Sequence, residues 1–230
     1  MKAIITGGSS GLGAAIAREL DEKGWAVDDW SLTSDVDVTD KHSTAFAATR
    51  HAPESVDLLI NCAGVNFIDW HEETPIEEWD RLMNTNARSI WLVTKQLIKL
   101  GIFKKPATVI NIVSNASHMP MTNSAAYNAS KGAAHILTLQ MARELRKRHG
   151  LTVFGISPNK MHSTEMSSYI ESRVCDLRGW TPEQARDYQL NALPAGEETD
   201  PEVVAEFIAF LVSSRRRHKF LHGTIIPYGA

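Results

Sequence analysis

A tyrosine and a lysine stand four residues apart in Tyr127-Asn128-Ala129-Ser130-Lys131. On a helix that spacing puts both side chains on one face, one turn apart. A free phenol titrates near 10, too high for easy proton exchange at neutral pH, and a fixed positive charge beside it favours the phenolate. The pair reads as a general acid/base in which Lys131 helps to lower Tyr127, a task that asks roughly 3 to 4 kcal/mol of nearby positive charge. Alone, Tyr-x-x-x-Lys is a common surface pair, so its weight depends on its company.

The second feature is Thr6-Gly7-Gly8-Ser9-Ser10-Gly11-Leu12-Gly13. Glycines so placed permit a tight turn and bring backbone N–H groups close to a phosphate, and a helix starting there would set its N-terminus against the negative charge. The loop follows an apolar run and precedes an amphipathic stretch, the context a dinucleotide needs.

The elements that must hold these residues alternate. Ala3 to Thr6, Val56 to Asn61, Thr108 to Val113 and Leu151 to Ile156 are strand-like. Between and after them, helices are expected at Leu12 to Lys23, Pro75 to Lys99, Tyr127 to Arg148 and Pro201 to Ser213, with a last strand at Thr224 to Tyr228. This order implies a parallel sheet with crossover helices. Thr74-Pro75, Thr181-Pro182 and Asp200-Pro201 read as a capping residue followed by proline at the first helical position, and the first two also fit a capping box. Residues 159–198 break the alternation, with one short helix pattern, and are expected to form a lid over a substrate.

At 230 residues, 43% hydrophobic and 22% charged with net charge −3, the chain has ordinary globular composition. That balance gives no reason to expect nucleic acid or a membrane as partner, and the basic run Arg215 to Lys219 reads as a solvated helix end. Two cysteines, Cys62 and Cys175, with no secretory leader in view, imply a reducing, cytoplasmic setting. The nine histidines are scattered, so no metal site is expected.

With these residues in hand, the sequence resembles the short-chain dehydrogenase/reductase family, whose nucleotide loop Thr-Gly-x-x-x-Gly-x-Gly is matched by Thr6, Gly7, Gly11 and Gly13. The resemblance covers nearly the whole chain. It implies one α/β domain over residues 1–230, a Rossmann-type doubly wound parallel sheet of about seven strands with helices on both faces. It also implies hydride transfer between NAD(P)(H) and an alcohol or carbonyl substrate. Asp37-Val38 is similar to the family's adenine pair. Asn61-Cys62-Ala63-Gly64 is similar to its Asn-Asn-Ala-Gly turn, with Cys62 replacing the second asparagine. Pro158-Asn159 stands where the family has Pro-Gly, and Ser163-Thr164 where a threonine contacts the carboxamide. The catalytic tetrad it implies is Asn86, Ser114, Tyr127 and Lys131. Ser114, thirteen positions before Tyr127, would orient the substrate oxygen; Ser117 competes for that role. Asn86 would hold a water leading from Lys131 to solvent, and Lys131 would also bond the nicotinamide ribose.

Within the cofactor site, Ser9, Ser10 and Leu12 join the glycines, and Ser31 falls at the end of the second strand, where NAD enzymes carry an aspartate. A serine removes the repulsion of a 2′-phosphate, so NADP(H) is preferred on this reading, with NAD(H) as the alternative. A homo-oligomer, tetramer before dimer, is expected from Ile90, Trp91, Val93 and Leu97 and from Ile136, Leu137, Leu139 and Met141, which spread over more than one helix face. Pocket candidates by position are Asn66, Phe67, Trp70, His118, Met119, Met121, Met161, His162, Met166, Tyr169 and Trp180. The alternative function is a catalytically silent dinucleotide sensor, which the intact tetrad argues against. A nucleotide-sugar epimerase is disfavoured because the sequence stops just after its last strand.

Overall fold

A computed structural model describes residues 1–214 and 218–229, so Arg215 to Arg217 of the basic run lie outside the described residues. Among these, six strands form one parallel sheet in the order β2-β1-β3-β4-β5-β6: β1 Lys2–Thr6, β2 Ala26–Trp30, β3 Val56–Asn61, β4 Phe103–Ile112, β5 Leu151–Pro158 and β6 Ile225–Tyr228. β3 and β5 are buried along their whole length, as parallel strands covered on both faces must be.

Alternation along β1 divides the core in two. Ala3 and Ile5 face helix α1 (Gly11–Glu22) and helix α8 (Pro201–Val212), packing with Ile16, Leu20, Val204 and Ile208. Ile4 faces the opposite layer with Ile90, Val93 and Leu97 of α4 (Ser89–Lys99) and Ala134 and Met141 of α5 (Ala125–His149). Truncating a side chain such as Ile16 to alanine would cost roughly 2 to 5 kcal/mol.

Helices α2 (Lys41–Thr49) and α3 (Ile76–Met83) complete that second layer and its rim. The predicted helix over 75–99 is interrupted by a π-helical turn at Asn84–Arg88, in which the Ser89 N–H reaches the Asn84 carbonyl five residues back. The strand order turns outward in both directions from β1 and β3, so the crevice between their carboxyl ends is the fold's ligand position.

Residues 159–198 carry two helices, α6 (Glu165–Arg178) and α7 (Pro182–Asn191), where one was expected. The capping box at Thr181 forms with Gln184 at 3.0 and 3.3 Å, and Asp200 caps α8 through the Glu202 N–H at 2.9 Å. Thr74 does not cap: its hydroxyl donates to the Trp70 carbonyl at 3.1 Å, and α3 starts one residue late behind Pro75. No helix among the described residues is long and apolar enough to cross a membrane.

Candidate active site

The glycine loop is tight because nothing else fits. A Cβ on Gly13 would lie 2.0 Å from the Gly7 carbonyl oxygen, and one on Gly7 would lie 2.9 Å from the Ala63 Cα at φ +68°. Ser9, Ser10 and Gly11 are exposed, while Leu12 and Gly13 are buried. Ser10 precedes α1 with no side-chain cap, and the first turn holds no acidic residue, so the helix N–H groups are left for an anion. The cradle thus fits a dinucleotide phosphate.

Thr6 works from beneath. Its hydroxyl accepts the N–H groups of both Cys62 and Ala63 at 3.0 Å, fixing the turn after β3. Asn61 donates its amide to Asn111 at 2.8 Å and leaves its Oδ1 buried without a partner among the described residues. Asp37 Oδ1 accepts from the Thr39 N–H and hydroxyl at 2.8 and 2.7 Å, and Val38 is buried beside it.

The sequence reading missed Asp29. Ser31, expected to face a 2′-phosphate, is buried and donates its hydroxyl to Asp29 Oδ2 at 2.6 Å, while Asp29 Oδ1 accepts the Gly8 N–H at 2.7 Å. Residues 29 and 31 share a strand face. The signal was two positions before the serine, in an Asp28-Asp29 pair of which only the second faces the loop.

Tyr127 and Lys131 are buried on α5, one turn apart as expected, with Lys131 Nζ 5.9 Å from the phenol ring centroid. Ser114 ends the strand region and hydrogen-bonds the Tyr127 side chain, also accepting the Ala116 N–H at 3.2 Å. Ser117 is engaged elsewhere, 3.1 Å from both His118 Nδ1 and His135 Nδ1.

The electrostatics differ from the expectation. Burial pushes the Tyr127 phenol up, the Ser114 hydrogen bond pulls it partly back, and Lys131 does not figure among the causes. Burial also pushes the Lys131 ammonium down, to about 8. Two enclosed groups that each disfavour charge cannot assist one another much until further charge arrives. The Lys131 ammonium donates to the Ile112 carbonyl at 3.2 Å, and burial raises the Cys62 thiol to about 12.

Asn86 lies in the π-turn and is committed to bracing. Its Oδ1 accepts the Val65 N–H at 2.8 Å, and its Nδ2 donates to the Val65 carbonyl and Ser130 hydroxyl at 2.9 Å. Lys131 Nζ and Asn86 Oδ1 both border Gly64.

The segment expected to form a lid, residues 159–198, meets the loop after β3. Ser163 takes φ +55°, and Thr164 caps α6 through the Ser167 N–H while its methyl faces Gly11. Pro158 ends β5 beside Tyr228, and Asn159 donates to the Gly229 carbonyl at 2.7 Å. Arg173 pairs with Asp69 at 2.5 Å, and Lys160 pairs with Glu171 and Glu198, contacts that no sequence pattern announced. Of the pocket candidates, Phe67 packs against the cluster that includes Tyr127, and the Tyr169 hydroxyl accepts the Ile68 N–H at 3.4 Å. Met161 packs against the core, and Trp180 meets Tyr188 edge-on within residues 159–198. His218 and His222, spaced four apart and passed over by the metal reading, diverge: one meets the Thr108 hydroxyl, the other accepts the Val153 N–H.

Residues 28–174 match the sequence pattern of the short chain dehydrogenase family. The chain belongs to the short-chain dehydrogenase family. It is 29% identical to the 3-oxoacyl-[acyl-carrier-protein] reductase FabG of Vibrio cholerae, over 92% of this chain and 89% of the relative. It is 28% identical to the L-xylulose reductase of Bos taurus, over 93% and 89%. A crystal structure of a variant actinorhodin polyketide ketoreductase with NADPH superimposes with a TM-score of 0.86 at 25% identity, covering 98% of this chain and 94% of that one. This short-chain dehydrogenase therefore has the family's doubly wound sheet, with its glycine cradle and its buried Tyr-Lys pair on the same rim.

Proposed function

We propose that the chain is an NAD(P)-dependent oxidoreductase acting on a CH–OH or C=O group, with Tyr127 as acid/base. The observation that carries this reading is the enclosed Tyr127 phenol, hydrogen-bonded to Ser114 with Lys131 one turn on, at the rim that holds the bare α1 N-terminus. The bound nicotinamide supplies the hydride acceptor or donor. Tyr127 passes the hydroxyl proton, Ser114 orients the substrate oxygen, and Lys131 holds ribose hydroxyls and supplies positive charge. Ser9 to Gly13 hold the pyrophosphate, Asp37 and Val38 flank the adenine, and Ala63, Gly64, Pro158, Ser163 and Thr164 line the remainder.

Asp29 bears on the cofactor. A carboxylate beside the glycine loop accepts from ribose hydroxyls and repels a 2′-phosphate, so it tips the choice that Ser31 alone left toward NADP(H) back to NAD(H). The printed names of relatives divide between ketoacyl reductases and enzymes of polyols and sugars. A cytoplasmic setting and a homotetramer belong to the same proposal.

The test is absorbance of reduced cofactor with a panel of alcohols and ketones. Tyr127→Phe is expected to lose about 10² or more in rate with cofactor affinity kept; retention of a tenth of the wild-type rate would remove Tyr127 from its role. Calorimetric titration of both cofactors is expected to show tighter NAD(H) binding, with Asp29→Ser moving the ratio about tenfold toward NADP(H). A ratio unmoved by that change would clear Asp29 of the selection.

A further inference from the structure

Two amide side chains in the segments that flank the Tyr127 cluster carry enclosed polar atoms with no partner among the described residues: Asn66 Oδ1 and Asn123 Nδ2. Asn66 sits in the loop after β3, between Val65 and Phe67, which pack with Leu82, Ala116, Ala126 and Tyr127 itself. Asn123, just before α5, is tied to that loop because the Asp69 N–H donates to its carbonyl at 2.9 Å. The lid covers the third side through Tyr169 on Ile68 and Arg173 on Asp69. Asn123 holds φ +64°, which explains a residue tolerant of the left-handed region but not an enclosed, unpaired NH2 group.

Enclosed amide atoms are normally paired, so each orphan marks a place where a partner is due. One is an acceptor and the other a donor. A hydroxyl-bearing carbon answers both, giving its proton to Asn66 Oδ1 and accepting from Asn123 Nδ2, whereas an acyl chain or bare ring answers neither. We propose that the substrate is a small polyol, or the matching polyhydroxy ketone, held by Asn66 and Asn123 through hydroxyls next to the reacting carbon. This rests on the oxidoreductase reading above and selects within it. The redox step is the one already given: the carbinol carbon loses its hydrogen as hydride to the nicotinamide, the hydroxyl proton goes to Tyr127, and a C=O forms.

The experiment compares kcat/KM for xylitol and sorbitol with that for 2-pentanol and ethyl 3-hydroxybutyrate, using the full chain and either oxidised cofactor. The polyols are expected to lead by about 100-fold, because a site built to pair hydroxyls rejects analogues lacking them. Asn66→Leu and Asn123→Gly, the latter keeping the left-handed backbone, should each lower the polyol-to-pentanol ratio by roughly 10- to 100-fold. Wild type favouring 2-pentanol or the ester, or variants that leave the ratio unmoved, would overturn the inference while leaving the oxidoreductase reading intact. No turnover of any alcohol or ketone with either cofactor would take both down. Should a variant fail to fold, xylitol titrated into Tyr127→Phe saturated with NAD+ must still give a binding isotherm that 2-pentanol does not; equal or absent heats would sink the assignment.

Discussion

Lys131 is kept charged against the preference of its surroundings. Its ammonium falls from 10.5 to about 8 on burial. Between those values the unfolded chain holds a proton that the folded chain has shed, so stability rises as pH climbs from about 8 toward 10.5. At pH 7 the buried charge costs roughly 3 kcal/mol. Lys131→Met, close in length and apolar, is therefore expected to melt several degrees higher than wild type at pH 7, with the gap shrinking to about half or less by pH 9.5, while losing activity at least about 100-fold. Thermal denaturation at the two pH values checks it; a variant less stable at pH 7 would contradict the burial cost. Tyr127 is shifted the other way, so it contributes only above its ordinary value near 10, where stability declines again.

Among the elements, the lid and the second strand carry consequences of their own. Asp69 is much the less exposed partner of Arg173, so Arg173→Ala would strand a mostly enclosed carboxylate, at a cost of roughly 1 to 3 kcal/mol. The expected result is a several-fold higher KM with a smaller change in kcat, and faster tryptic cleavage within residues 159–198; unchanged cleavage would mean that this pair does not hold the lid. On the far side of β2, Asp28 is held below the usual carboxylate range chiefly by His51, whose Nε2 lies 2.9 Å away, with the Trp30 indole adding a second hydrogen bond. A lowered carboxyl stabilises the fold above its unfolded value near 4 and loses that contribution as pH falls through it. Asp28→Asn should therefore flatten the acid limb of the stability curve, measured by urea midpoints between pH 3 and 6.

What the sequence disclosed follows the range of the physics. Strands such as Val56–Asn61 were legible because burial on both faces writes a continuous apolar run, and Tyr127 with Lys131 because helix spacing is local. Helix α2 was not legible, since its small and polar residues Lys41–Thr49 carry little apolar period. Asp29 was hidden because strand alternation, not identity, decides which of two adjacent aspartates faces the loop. Asp69 and Arg173 stand 104 positions apart, and no local pattern joins them.

Across the whole molecule, every strand is parallel, so the carboxyl ends share one rim and the chemistry collects there. The outer helix faces are left with Trp91 at 43% and Ile136 at 64% exposure, although Ile90, Val93, Leu97 and Met141 from the same stretches are buried in the core. Apolar side chains so placed favour association with a copy of the same face. Light scattering is expected to give a tetramer, and Trp91→Glu combined with Ile136→Glu to halve the mass or more. A wild-type monomer at micromolar concentration would end this reading.

The π-turn at Asn84–Arg88 makes chain length itself part of the design. It holds one residue beyond what an α-helix of the same rise would use. Removing Thr85 would therefore yield a smoother, fully hydrogen-bonded helix. Because the wide turn already absorbs that residue, the helix on either side would keep nearly its present phase, and Ile90, Val93 and Leu97 could stay in the core. What the deletion would flatten is the bulge itself, which presents Asn86 to Val65 and Ser130. The same loss from the regular stretch Ser89–Lys99 would turn everything beyond it by about 100°. This turn is thus the one place along the helix where a missing residue spares the packing and unseats the site.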